Sequence, residues 1–217
     1  MDMKQVSDNC FAVLNEKNRI CDANSGLINL GGGLVIDTQS DLAHARRMIA
    51  LFGRVWAGMP RRVINTHEDA DHVWGNQCFR GAEIIAHRSV PTRMRQVAEP
   101  KKSQELLREV ARVHAQLVFK PRHPGIVAAG HQVLEDYDFD GIELVPPSTL
   151  FDMRYDLDLD GTQVHLIYVG PCQGHVSNIL DSLAYRAAPR PRSGPTSATS
   201  SESRTKNYPI SRHREFG

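Results

Sequence analysis

Apolar positions follow two rhythms along this chain, and the change from one to the other marks its elements. Between residues 10 and 37, short aliphatic runs read as paired strands over Cys10–Leu14, Gly26–Leu30 and Gly33–Asp37. Asp22-Ala23-Asn24-Ser25-Gly26 and Gly31-Gly32-Gly33 supply the turns between them. The strand Leu34-Val35-Ile36 follows the triple glycine directly, which predicts a tight hairpin and not a dinucleotide-binding loop opening a helix. From Leu42 the spacing becomes helical: Leu42, Ala45, Met48, Ile49 and Phe52 share one face, with Ser40 or Asp41 as the cap. His44 lies on this helix and is expected at the surface. Gly58 and Pro60 end the segment.

Val63 and Ile64 then read as the end of a buried strand, and Ala82–Ala86 as another, ending in His87. Ser89 and Pro91 have the chemistry of a helix cap and first turn. Over Ser103–Phe119 the positions Leu106, Leu107, Val110, Val113, Leu117 and Val118 make an amphipathic helix, and 120–148 reads as loops. Alternation returns over 149–169: Phe151, Met153, Tyr155 and Leu157 interleave with Asp152, Arg154 and Asp156, and Asp160-Gly161 turns the chain into Val164–Val169. A hairpin with one buried face is expected there, with His165 partly exposed. Beyond Ser182 little remains to bury, since 187–203 is dominated by Pro, Arg, Ser, Thr, Ala and Gly. The expected organisation is one domain over 1–182, with a helical insertion near 89–135, and a disordered basic tail over 183–217.

The chemistry is concentrated directly after Val63-Ile64, where His67, Glu68, Asp69, Asp71 and His72 follow one another closely. Ionisable groups are costly to hold beside a core without a partner. A bound cation is such a partner, because imidazole nitrogen and carboxylate oxygen both ligate zinc, iron or manganese. In an extended loop, residues 67, 69 and 71 point to one side while His72 turns away, so the four ligands divide between two ions. They are expected to converge at the exposed end of the strand Val63–Asn65. A zinc-protease helix is excluded, because position 71, where its second histidine would stand, is Asp71. Trp74 is expected to close the floor of the site by packing, and His87 to be a satisfied strand-end residue or a contact just outside the ligands.

Composition narrows this further. The 217 residues carry 26 Lys+Arg against 25 Asp+Glu, so overall charge gives no case for nucleic-acid or membrane partners. The start of the chain has no apolar leader, and Cys10, Cys21, Cys78 and Cys172 form no paired spacing. They read as reduced thiols of a cytoplasmic protein.

The stretch Thr66-His67-Glu68-Asp69-Ala70-Asp71-His72 resembles the His-x-His-x-Asp-His signature of the metallo-β-lactamase superfamily, with Asp69 in place of its second histidine. Gly75-Asn76, the strand ending in His87, and the hairpin from Asn24 to Thr38 are also similar to that family. Gly170-Pro171-Cys172-Gln173-Gly174-His175 resembles its Gly-Pro-x-His loop, although the histidine arrives two residues late. The resemblance runs over residues 6–175 and implies an α/β fold, the αββα metallo-β-lactamase sandwich, with its second half incomplete.

It implies one or two zinc ions, with iron or manganese as substitutes favoured by the harder Asp69. His67, Asp69 and His175 would hold the first ion, Asp71 and His72 the second. Asp71 would also orient the attacking water and accept its proton. The implied reaction is hydrolysis of a small activated ester, thioester or lactone by metal-bound hydroxide. An iron-dependent oxidoreductase of the same fold is the alternative, as is a truncated or frame-altered product with no activity. No bridging aspartate or final histidine is found after residue 175, so at most one tightly held ion and little turnover are expected. In this scheme the helix over Ser103–Phe119 is a lid.

Overall fold

A computed structural model describes residues 1–15, 21–102, 105 and 137–170, together with the backbone of 179–182. Seven strands stand in chain order in one sheet: β1 (Asp2–Ser7), β2 (Cys10–Leu14), β3 (Ser25–Ile28), β4 (Leu34–Ile36), β5 (Arg62–Ile64), β6 (Glu83–His87) and β7 (Thr149–Phe151). β1 to β4 pair antiparallel, and β4 to β7 pair parallel. Parallel pairing requires crossovers, and helices provide them. These are α1 (Leu42–Phe52) between β4 and β5, α2 (Ala70–Val73) running into a 3₁₀ turn over Trp74–Phe79 between β5 and β6, and α3 (Val90–Val97) after β6. An antiparallel sheet of β8 (Arg154–Leu159), β9 (Thr162–Tyr168) and β10 (Ile179–Ser182) forms the second layer.

Strand alternation divides the core in two. Leu27, Val35, Val63 and Ile84 face Met48, Leu51 and Phe52 of α1. Ile28, Leu34, Ile64 and Ile85 face the other way, onto Leu157, Leu159, Val164 and Leu166 of the second sheet. The described layers are therefore helix, sheet and sheet. The outer face of the second sheet presents exposed Arg154, Asp156, Asp158 and Gln163.

The triple glycine does form the β3–β4 turn, and it also joins the two sheets. Gly31 sits at φ +59°, and a Cβ there would stand 2.8 Å from Leu159 Cα. Its N–H donates to Asp160 Oδ2 at 2.8 Å, tying the turn to the tip of the β8–β9 hairpin.

Several expectations need correction. β1, which the apolar pattern does not predict, is mostly exposed with Met3 half-buried against the core, and is defined by its pairing with β2. The alternation through 149–159 is not one strand: the chain leaves the first sheet after Phe151 and enters the second at Arg154, with Met153 66% exposed at the crossing. Period-two spacing continues across the break because both strands share the buried layer between the sheets. His44 is only partly exposed, since its ring stacks on Tyr137 (centroids 4.8 Å apart) and bonds to Asp41. Ser89 stands at the N-cap of α3 without capping it, its hydroxyl being engaged with His87 Nδ1 at 2.8 Å. The proposed lid over Ser103–Phe119 (apart from Glu105), His175, and the tail over 183–217 lie outside the described residues.

Candidate metal centre

The ionisable cluster stands where the parallel strands β4, β5 and β6 end. The loops that follow such carboxyl ends are where α/β sheets gather ligand-binding groups. The loop after β4 is Asp37-Thr38-Gln39-Ser40-Asp41, and all five of these polar residues are buried. Asp37 and Gln39 lie at φ +58° and +81°, a left-handed backbone that costs a non-glycine residue energy and persists where the surroundings fix it. Gln39 donates to Ala23 C=O and Ser25 Oγ at 3.0 and 2.7 Å. Asp41 caps α1 by accepting the His44 N–H at 2.6 Å, and its other oxygen accepts the Asp138 N–H at 3.1 Å. Burial pushes the Asp41 carboxyl up, but these bonds and His44 outweigh it and hold the pKa below the ordinary aspartate value.

Asp37 is the hub of the centre. Its Oδ1 accepts the Thr66 N–H at 2.8 Å, and its Oδ2 accepts the Thr66 hydroxyl at 2.7 Å and the His72 ring at Nδ1, 2.8 Å away. Thr66 Oγ1 lies 2.9 Å from His67 Nδ1. A carboxylate only accepts, so His72 donates from Nδ1. The Thr66 proton goes to Asp37, so its oxygen accepts from His67 Nδ1. One buried aspartate thereby fixes both rings through their Nδ1 atoms and leaves both Nε2 atoms directed at Asp69 and Asp71.

Those Nε2 atoms meet carboxylates. His67 Nε2 lies 3.8 Å from Asp69 Oδ2, and His72 Nε2 lies 3.4 Å from Asp71 Oδ2. The two rings are 3.9 Å apart at their centroids. His72 does not turn away as an extended loop would have it, because the chain winds into α2 at Ala70 and brings the ring back against His67. The four donors stand as two pairs. Among the described residues, no three His, Cys, Asp or Glu side chains close into one group able to hold an ion. Burial opposes charge on His72, but Asp37 and Asp71 outweigh it and raise its pKa to about 10. Burial also raises the Asp71 pKa, but His72 and then His67 bring it below the ordinary value.

A dense polar frame supports this loop. The His72 carbonyl accepts from Thr38 N–H and Asn65 Nδ2 at 3.0 and 3.2 Å, and the Thr38 hydroxyl donates to Asn76 Oδ1 at 2.9 Å. Asn65 and Asn76 exchange reciprocal amide bonds of 3.0 and 2.9 Å. Gly75 must be glycine, because a Cβ there would stand 1.8 Å from Thr38 C=O. Trp74 packs as expected, buried among Val90, Met94 and Phe139, with its Nε1 donating to Ala98 C=O at 2.7 Å. His87 stacks face to face on Tyr168, with ring centroids 3.7 Å apart, and burial lowers its pKa. Cys21 lies near Asp71. Burial, then Asp71 and Asp22, push its thiol up to about 11, so it stays protonated at neutral pH.

The donor chemistry fits a cation. Imidazoles tied at Nδ1 to a carboxylate or hydroxyl, with Nε2 turned toward aspartates, have the second layer of contacts that metal ligands use. Asp37 and Thr66, which supply that layer, were not read as site residues. The available signal was the polar run Asp37–Asp41 following an apolar strand.

Known proteins share this fold. The sandwich is similar to the stereoselective inverting sec-alkylsulfatase Pisa1 from Pseudomonas sp., with TM-score 0.54 and 18% identity over 82% of this chain and 29% of that one. It is similar to the FEZ-1 metallo-beta-lactamase from Legionella gormanii, with TM-score 0.53 and 11% identity over 85% and 59%. A metallo-beta-lactamase from Hirschia baltica gives TM-score 0.52 and 12% identity over 84% and 66%. The chain thus spans between 29% and 66% of the length of these structures. No curated protein matches it. The metallo-beta-lactamase superfamily matches residues 18–181, which include strands β3 to β9 and the whole histidine–aspartate loop. By that match the chain belongs to the metallo-beta-lactamase superfamily, whose members are mostly metal-dependent hydrolases.

Proposed function

We propose that His67 and Asp69 hold one divalent cation, with Asp71 and His72 placed for a second, and that the centre belongs to a hydrolase of activated esters, thioesters or lactones. The observation that carries this reading is the grip of buried Asp37 on His72 and Thr66, which fixes both imidazoles with Nε2 beside Asp69 and Asp71. Zinc is the proposed ion, and Asp69 makes the site hard enough for iron or manganese to compete. A cation there would bring water toward neutrality in pKa and polarise the substrate's carbonyl. The chain's own part is positional and basic. Asp37 and Thr66 keep the rings from rotating, and the frame of Thr38, Asn65 and Asn76 holds the loop against water. Asp71, kept ionised by His72 and His67, takes the proton of the attacking water. His175 is proposed as a further ligand on the resemblance of its loop alone.

The test is elemental analysis of protein purified without chelator, paired with initial rates on p-nitrophenyl esters, acyl thioesters and lactones. Zinc at up to one equivalent, lost in His67→Ala, is expected, with hydrolysis abolished by chelation. Protein with no metal above background would overturn the reading. An iron absorption band with oxygen consumption would move it to an oxidoreductase.

A further inference from the structure

Between the two ends of the loop lies a residue that its chemistry has not yet absorbed. Glu68 is 1% exposed, although the residues on either side, His67 and Asp69, have side chains 14% and 35% exposed. A glutamate turned inward in a loop already rich in carboxylates adds buried negative charge, and such a charge needs a specific partner. Arg93 of α3 provides one: its Nε lies 3.5 Å from Glu68 Oε1, and its NH1 donates to Gln96 Oε1 at 3.1 Å. The loop is also anchored at Thr66 by Asp37, and at the His72 carbonyl by Thr38 and Asn65. Glu68 fastens the span between those anchors to a different element, the helix that follows β6.

We infer that Glu68 is a positioning residue: its ion pair with Arg93 holds the backbone between His67 and Asp69 so that both side chains face the proposed ion. With Glu68 turned inward, the more exposed His67 and Asp69 on either side of it share the open side of the loop, where Nε2 and Oδ2 stand 3.8 Å apart. The pair also makes α3 a support of the centre, so a change at Arg93 is felt at a loop it does not belong to. This inference rests on the metal reading above.

The experiment measures the zinc dissociation constant, by competition with a chromophoric chelator, in the native protein, Glu68→Gln and Arg93→Met. Each is also loaded with cobalt(II) for its visible d–d spectrum, and the metal-free Tm serves as the control for folding. Glu68→Gln keeps the volume and removes the charge. Arg93→Met breaks the pair from its half-exposed end, and so remains informative where the glutamate variant does not fold. Both should weaken zinc about tenfold or more, as loss of a ligand-supporting contact does. Both should also shift the cobalt bands, which a loss of stability alone would not do. Unchanged affinity and an unchanged cobalt spectrum in the folded Arg93→Met variant would overturn the positioning role while leaving the metal reading intact. Failure of the native protein to bind zinc or cobalt would overturn both.

Discussion

Replacing Gly75 by alanine adds one methyl group, and the structure says where it goes. The new Cβ would lie 1.8 Å from Thr38 C=O, 2.8 Å from the carbonyl carbon and 2.9 Å from Ala45 Cβ, where ordinary contact begins at 3.4 Å. Two of these neighbours are backbone, so no rotamer relieves the clash, and the 37–39 loop and the Trp74–Phe79 turn must move apart. The bonds crossing that seam are Thr38 N–H to His72 C=O, Thr38 Oγ1–H to Asn76 Oδ1, and Gly75 N–H to Gln39 C=O. Each buried bond contributes roughly 0.5–1.5 kcal/mol net, and overpacking adds about 1–3 kcal/mol. A loss of about 3–5 kcal/mol follows, a large part of the stability of a typical domain. Urea unfolding followed by far-UV circular dichroism reads it directly: at a slope of about 2 kcal/mol per molar the midpoint falls by roughly 2 M. Gly53→Ala is the control. Gly53 has φ −59° at the end of α1, and its added Cβ comes no nearer than 3.4 Å to any atom, so its midpoint should stay within about 0.5 M of the native one. A Gly75→Ala midpoint that matches this control would refute the close-approach argument.

Asp37→Asn keeps the shape of the hub but removes the charge from its bonds to Thr66 and His72, and should cost about 2–4 kcal/mol in the same assay. A change below about 0.5 kcal/mol would mean that Asp37 is not the hub. The Asp41 carboxyl has a lowered pKa in the folded protein, so its contribution is full above the unfolded value near 3.8 and is lost as pH falls through the lower folded value. Asp41→Asn should therefore flatten the acid limb of a stability–pH curve below pH 3.8 and leave its alkaline limb in place, which thermal melts across pH will show. Gly31→Ala, at φ +59° and against Leu159, should destabilise by about 2–4 kcal/mol and uncouple the β8–β9 hairpin. Hydrogen exchange should find the β9 amides opening before those of β5.

Much of the fold could be read from the chain because its signals are local. Cys10–Leu14 and the strand before His87 are short apolar runs bounded by turn residues, and Asp41 precedes a helical stripe. The features that could not be read depend on distant partners. β1 carries no apolar pattern, and only β2 makes it a strand. The break after Phe151 is invisible to an alternation that both sheets obey. In the site, His67, Asp69, Asp71 and His72 stood out by residue type, whereas Asp37 looked like the end of a strand. Its partners Thr66 and His72 are 29 and 35 positions away, and no window along the sequence brings them together.

That separation also explains why the loop after β4 tolerates a strained backbone. Left-handed φ at Asp37 and at Gln39 costs of order 1–3 kcal/mol each. A relaxed loop would avoid the strain by turning both side chains toward water. The strain persists because each side chain satisfies several buried donors or acceptors at once. Asp37 accepts from Thr66 twice and from His72, while Gln39 donates to Ala23 and Ser25 and accepts from Asn15. Releasing either residue would leave those groups buried without partners, at about 1–3 kcal/mol apiece, more than the strain it relieves. The loop is thus held in a high-energy backbone by bonds that only this backbone allows. For the proposed centre the consequence is preorganisation. The direction of His67 and His72 is set by protein groups, so an arriving cation displaces the proton of His72 Nε2 but need not spend binding energy on ordering the rings. Ligand affinity in Asp37→Asn should then fall chiefly through the fixed positions of the rings, with the carboxylates Asp69 and Asp71 still in place.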